Sequence, residues 1–239
     1  DGRNITGVGF QPDWVWIHNR TQSVNSMVYD AVRGVTKDIV TNSNLAEATS
    51  TDGLQAFITD GFTHGNGWGN QTTGDNYVAW NWKANGAGSS NSSGSIASTV
   101  SANTTAGFSI VKWAGSGANA TIGHGLGAAP EMIVTKSLGT SAWGVYHKGL
   151  GNTNVLFFDT YASTSANAAY WNNTSPTSTV FSVGTDSSVN HSGNNMIAYC
   201  FKSIQGYSKI STYIGNGNAD GTFIYTGFRP AMMFFKKTS

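Results

Sequence analysis

Gly74-Asp75-Asn76-Tyr77-Val78-Ala79-Trp80-Asn81-Trp82-Lys83 returns 119 residues later as Gly193-Asn194-Asn195-Met196-Ile197-Ala198-Tyr199-Cys200-Phe201-Lys202. Each copy opens on a Gly/Asn turn and then alternates. Val78, Trp80 and Trp82 share one face, and Tyr77, Ala79 and Asn81 the other. A period of two is that of a β-strand, because successive side chains leave opposite faces of the backbone. The heavy faces, Val78/Trp80/Trp82 and Ile197/Tyr199/Phe201, are expected to fill the space between the two sheets of a sandwich.

Working outward, three further blocks recur in the same order. Pro12-Asp13-Trp14-Val15-Trp16-Ile17 returns as Pro130-Glu131-Met132-Ile133-Val134 and again as Pro230-Ala231-Met232-Met233-Phe234-Phe235. Proline suits the mouth of an apolar run because the first residue of a strand need not donate to the ladder. Val28-Tyr29-Asp30 returns as Val145-Tyr146-His147. Gly107-Phe108-Ser109, ending at Trp113-Ala114-Gly115, returns as Gly206-Tyr207-Ser208, ending at Tyr213-Ile214-Gly215. The last copy is one residue longer, a difference that a β-bulge absorbs. Ordered recurrence of four blocks implies a duplicated unit.

Pro12 and Pro130 stand 118 residues apart, Pro130 and Pro230 only 100. Most of the difference is the Gly/Ser/Asn-rich stretch 84–105, expected as a linker or as an added edge strand around Ser95 to Val100. The predicted fold is all-β: two tandem β-sandwich units, jelly-roll or concanavalin-like. The first spans 1–123 with its insertion, and the second 124–239, ending in the first strand of a following repeat. Asp1 to Phe10 resembles Asp220 to Phe228, so the chain reads as a segment of a longer array or as one whose terminal strands are exchanged. Trp14/Trp16 and Val15/Ile17 make both faces of one strand apolar, which places it centrally or against another unit. A single helical turn is the alternative for Leu45 to Ala56, capped from Ser43-Asn44 and weakened by Gly53.

Composition narrows the function. Of 239 residues only 10% are charged, against a typical ~25%, and the net charge is +1. That removes the field that binding to nucleic acid or an anionic membrane uses. Thirty Gly, an aromatic content of 12% and only two Glu (Glu47 and Glu131) argue against both disorder and an α/β enzyme. No run of 18 apolar residues is present to span a membrane as a helix. The single cysteine, Cys200, makes no internal disulfide and sits in an apolar run, as an inert buried thiol would.

No catalytic constellation emerges. The two Glu lie 84 residues apart in non-equivalent places, which does not suit glycosidic hydrolysis by a carboxyl pair. There is no Gly-x-Ser-x-Gly elbow and no phosphate-cradling glycine loop. His18, His64, His124, His147 and His191 are scattered without metal-ligand spacing. The Asn/Asp/Gly loops lack the Asp series of a calcium site. No catalytic residue, metal or cofactor is therefore expected.

Binding is the live alternative. The loop Gly61 to Asn70 carries Trp68 between glycines, where the second copy has Ser187. A Trp that the fold replaces by Ser is a candidate to stack on the apolar face of a sugar. Asn66, Asn70 and Asp75 would supply hydrogen bonds. Trp143, standing where the first copy has Ser26, and the Tyr170-Trp171 pair are further candidates. The competing reading is that each of these aromatics packs within its own sandwich or on a neighbouring subunit.

The wording of the motifs carries a resemblance. Val145-Tyr146-His147-Lys148-Gly149-Leu150-Gly151, Tyr170-Trp171-Asn172-Asn173-Thr174-Ser175-Pro176, Ile197-Ala198-Tyr199-Cys200-Phe201 and Tyr225-Thr226-Gly227-Phe228-Arg229-Pro230 together resemble a repeated domain of unknown function. That domain occurs in large structural proteins of marine bacteriophages described as tail-fibre-like or concanavalin-like. The resemblance implies a lectin-like sandwich on a virion surface, outside the cell, as a tail-fibre or appendage segment that adheres to a host-surface glycan. It also implies a homo-oligomer, a trimer by analogy with such fibres, alongside other virion proteins. The other class of function is a decoration or spacer without a ligand. The Trp-rich forms Asp13-Trp14-Val15-Trp16 and Trp80-Asn81-Trp82 depart from the second copy.

Overall fold

The computed structural model describes residues 2–66, 74–160 and 165–238. Its described elements are almost all strands, paired antiparallel into four sheets. β1 (Arg3–Thr6), β6 (Leu54–Ile58) and β7 (Gly61–His64) form one in the order β1-β7-β6. β2 (Trp14–Asn19), β3 (Met27–Asp30), β4 (Gly34–Val40), β5 (Ala48–Thr49) and β8 (Tyr77–Trp82) form the second, β5-β4-β3-β2-β8. The third contains β9 (Ser89–Asn91), β10 (Ser98–Asn103), β11 (Phe108–Ala114), β13 (Met132–Ser137), β14 (Trp143–His147), β15 (Asn154–Phe157), β16 (Ser165–Ala166) and β18 (Asn195–Phe201). Its order is β16-β15-β14-β13-β18-β11-β10-β9. β12 (Ala120–Gly123) and β17 (Val180–Val183) pair alone. Two four-residue helices, α1 (Ala168–Trp171) and α2 (Ser187–Asn190), start at the caps Asn167 and Asp186. Both cap side chains accept a main-chain N–H of the first turn.

Five strands of the eight-stranded sheet, β16-β15-β14-β13-β18, run in the same connectivity as β5-β4-β3-β2-β8. Registers coincide as well. Trp14 faces Trp82 and Trp16 faces Trp80, as Met132 faces Phe201 and Val134 faces Tyr199. Val15 faces Tyr29 as Ile133 faces Tyr146. Ile5 faces Phe62 as Ile122 faces Phe181.

Three apolar cores separate the four sheets. Val15, Ile17, Met27, Tyr29 and Val40 meet Leu54 and Phe62 between the five- and three-stranded sheets. Val111, Ile133, Tyr146, Ala198 and Cys200 meet Ile122, Phe181 and Val183 between the eight- and two-stranded sheets. Between the two large sheets lies the third core, where Trp14, Val28 and Ile39 meet Phe108, Ile110, Ile197 and Tyr199. β2 thus buries both of its apolar faces, as its sequence requires.

Five expectations need correction. The heavy face of β18 does not fill its own sandwich: Ile197 and Tyr199 look into the core between the large sheets, while the lighter Met196, Ala198 and Cys200 face β12 and β17. Leu45 to Ala56 forms no helix; it holds β5 and the start of β6, consistent with Gly53, over which Asp38 and Tyr29 close. Residues 89–123, assigned to the first unit, hydrogen-bond instead into the sheets of the second half, through β11 on β18 and β12 on β17. The stretch 84–105 supplies two strands, the edge strand β9 and, between it and β11, β10, which lies a few residues later than Ser95 to Val100. Finally, 228–238 is not paired into a strand; its Phe234 stacks on Phe158 with ring centroids 5.2 Å apart.

Candidate functional site

Three polar arrangements are candidates for chemistry. The first lies in the core between the large sheets. Asp30, opposite Trp14 in the ladder and two residues from Val28, looks into this core with both of them, at a register shift between β3 and β4. Its Oδ1 accepts the N–H groups of Val32 and Arg33, and its Oδ2 accepts Arg33 Nε at 2.5 Å and the Tyr199 hydroxyl at 2.8 Å. Arg33 also donates to Glu47 Oε2 and to the carbonyls of Lys37 and Val28. Burial opposes the Arg33 charge, but Asp30, Tyr199 and Glu47 outweigh it and hold the guanidinium protonated. Burial, with the Asp30 charge, raises the Tyr199 hydroxyl well above its ordinary range. Asp30, Arg33 and Tyr199 are buried, Glu47 is 19% exposed at the margin, and the cluster keys the two sheets together.

The second is Tyr29, Asp38 and His64 in the core of the first half. Burial lifts the Asp38 carboxyl to about 6, opposed by the Tyr29 hydroxyl and the Arg33 charge. His64 is buried with its ring edge-on to Tyr29 at 5.9 Å, and burial lowers its basicity. Among the described residues no three His, Cys, Asp or Glu side chains come together to hold a metal.

The third is open to solvent. His18 on β2, Arg20 just past its end, and Val78 and Trp80 on β8 surround a shallow groove of ≈ 420 Å³. Trp80 is half-buried and rests on Trp16, with ring centroids 4.9 Å apart. Trp16 leans on Phe158 and Phe234, which hold it from behind. His18 Nδ1 lies 2.7 Å from Ser26 Oγ. The rim is fixed by Asn19, whose Oδ1 accepts the N–H groups of Thr21 and Gln22. Asn19 Nδ2 donates to Asp75 Oδ2 at 2.9 Å, and Gln22 Nε2 to the same oxygen at 2.7 Å. An indole face beside a guanidinium and an imidazole suits a ring-shaped, hydroxyl-rich ligand.

The sequence-predicted residues are distributed as follows. Trp68 and Asn70 lie outside the described residues. Asn66 is exposed at the end of β7. Asp75 is half-buried and engaged by Asn19 and Gln22, so it braces the rim. Trp143 is a correction: it is 1% exposed, and its Nε1 donates to the carbonyls of Val40 and Ser43, tying β14 to the first half. Trp171 is a second: also 1% exposed, it donates to the Asn154 carbonyl and packs edge-on against Tyr146. Neither ring can stack on a sugar. Tyr170 is half-buried against Phe157. The groove residues His18, Arg20 and Trp80 were missed because alternation assigned Trp80 to a sheet-filling face. Where that face runs out past the opposing sheet is a tertiary fact with no local signal.

No helix is long and apolar enough to cross a membrane among the described residues. The chain belongs to the family described as Domain of unknown function (DUF7483), whose model matches residues 1–239. No curated protein and no solved structure matches it.

Proposed function

We propose, with membership of that family as the premise, that this chain is a non-enzymatic building block of a phage surface appendage. It would be of the tail-fibre kind, made of two tandem sandwich units of jelly-roll or concanavalin-like type. The single observation that carries this reading is the apolar surface of the segment 207–235. Tyr207, Tyr213, Ile214, Phe223, Tyr225, Phe234 and Phe235 are all more than half exposed there. Side chains of that kind in a row call for a protein surface to cover them, as in an assembling fibre or shell. The shared connectivity and register of the two large sheets support the tandem units. Adhesion to a host-surface glycan is assigned to the groove at Trp80, with Arg20 and His18 as its polar contacts. The burial of Trp143 and Trp171 favours the second reading, a decoration or spacer with no ligand of its own.

Immunogold labelling of intact particles carrying the chain tests the appendage. Label along fibres supports it, label over the capsid shell selects the decoration, and absence of label from particles rejects both. A glycan array with the purified chain and with W80A separates adhesion from spacing. Signal lost in W80A supports the groove; equal signal, or none in either protein, removes it.

A further inference from the structure

The two matching strands β8 and β18 differ in one respect. β18 is held on both sides, by β13 and by β11, and five of its seven residues are buried. Among the described residues β8 pairs only with β2 and ends its sheet, and every residue of it is half-buried. Arg20 N–H bonds the Asn76 carbonyl and Asp13 N–H the Trp82 carbonyl, so the even-numbered residues of β8 direct their amide groups at β2. In an antiparallel ladder those of Ala79 and Asn81 then point outward. No main-chain partner meets them among the described residues. The Asn81 side chain folds back instead and donates to the Ala79 carbonyl at 3.2 Å, while its own Oδ1 is buried without a partner. Neither charge, proline nor a bulge guards this edge, and bare edges recruit strands.

The chain also contains the strand that would fit. β11 occupies the corresponding place beside β18, and its sequence block recurs in Gly206 to Gly215. That segment is in no sheet; beyond the bridge from Ile204 to Ser208 it has no ladder, and Tyr207 and Tyr213 are exposed. We propose that the outer edge of β8 accepts the segment Tyr207 to Tyr213 of a second copy of this chain as an added antiparallel strand. The register follows from β11 on β18, where Phe108 faces Phe201, Ser109 faces Cys200 and Val111 faces Ala198. Carried across, Tyr207 faces Trp82, Ser208 faces Asn81 and Ile210 faces Ala79. Ser208 then stands opposite the Asn81 side chain, and the outward amides enter a ladder. Main-chain pairing supplies affinity in such strand addition, and alternate side chains supply specificity. Donor and acceptor lie on different surfaces, so the contact is head-to-tail and builds a ring or a filament.

The inference rests on the tandem-unit reading and not on the glycan groove. Its test mixes two single variants of the full chain, N81C and S208C, under mild oxidation, and identifies linkages by mass spectrometry. Paired residues of this ladder bring their Cα atoms to ~5.5 Å, within reach of a disulfide. Cys200 is fully buried, and each variant alone is the control. Expected is an 81–208 linkage between copies, present only in the mixture. In parallel, light scattering should show oligomers for the wild type and monomer for I210P, in which proline removes a ladder donor. Ile210 N–H also donates to Ser203 Oγ, so S203A, which removes that bond and leaves the ladder donor in place, is the control and should stay oligomeric. A wild type that is monomeric at ~100 μM, or oligomers whose N81C/S208C mixture forms no 81–208 linkage, would each overturn the proposal. None of these outcomes bears on where the chain sits in a particle.

Discussion

Asp38 is 2% exposed, on β4, and packs beneath Gly53; a Cβ at Gly53 would come within 2.8 Å of its Oδ1 and 2.9 Å of Tyr29 Oη. Its carboxyl sits at about 6 against an ordinary 3.8, so the folded chain keeps this proton after the unfolded chain has lost it. Stability is then greatest below the unfolded value, falls as pH rises from about 4 to 6, and is level above. The linkage is worth on the order of 1–3 kcal/mol. Urea unfolding of wild type and D38N at several pH values should show the wild type losing that much relative to the variant. A difference that does not vary with pH would remove the account. The Asp30 cluster behaves otherwise. Y199F deletes one of four acceptor contacts of Asp30 and should cost about 1–2 kcal/mol. R33M strands a buried carboxylate and should cost about 3–5 kcal/mol. Chemical denaturation that ranks Y199F as the worse of the two would show that the charges are not what the cluster balances.

At the scale of the element, Gly61 opens β7 with φ +148, and a Cβ there would run into the Ile5 carbonyl of β1. G61A should therefore loosen β1 from β7 and cost more than about 2 kcal/mol, since both the dihedral and the space are wrong. Amide exchange of Ile5 and Phe62 should quicken first; unchanged protection there would contradict the close approach. Strand positions of this kind were legible in the sequence where a local rule governs them. Pro12 and Pro130 mark strand mouths, and the alternation of 77–82 and 195–201 marks two-faced strands, because both depend on neighbours a few residues away. What covers each face was not legible. Trp143 is flanked by Ser141, Ala142 and Gly144, a setting that looks like an exposed loop, yet it is buried by residues about 100 positions earlier. The pairing of β11 with β18 spans a comparable distance. The groove at Trp80 is hidden for the same reason, since its shape depends on where two sheets stop overlapping.

At the scale of the molecule, the core between the large sheets makes the two halves one cooperative body. Trp14 is its hinge of contacts: edge-on to Trp82 at 4.7 Å in its own sheet, and at 5.3 Å to Tyr199 and 6.1 Å to Phe108 in the other. Deleting a buried indole costs about 3–5 kcal/mol, transfer and cavity together. Were the halves independent, W14A would weaken only the five- and three-stranded sheets, and β13 and β18 would keep their protection. Because Trp14 fills space that Tyr199 and Phe108 also line, and Tyr199 hydrogen-bonds Asp30 across the same gap, its loss must be felt on both sides. Scanning calorimetry of the wild type should give one transition, and W14A should lower it as a whole. Hydrogen exchange should show protection falling together in β2, β8, β13 and β18. Two transitions in the wild type, or loss of protection in W14A confined to residues before 84, would mean that the sheets merely touch and that the Asp30 cluster does not join them.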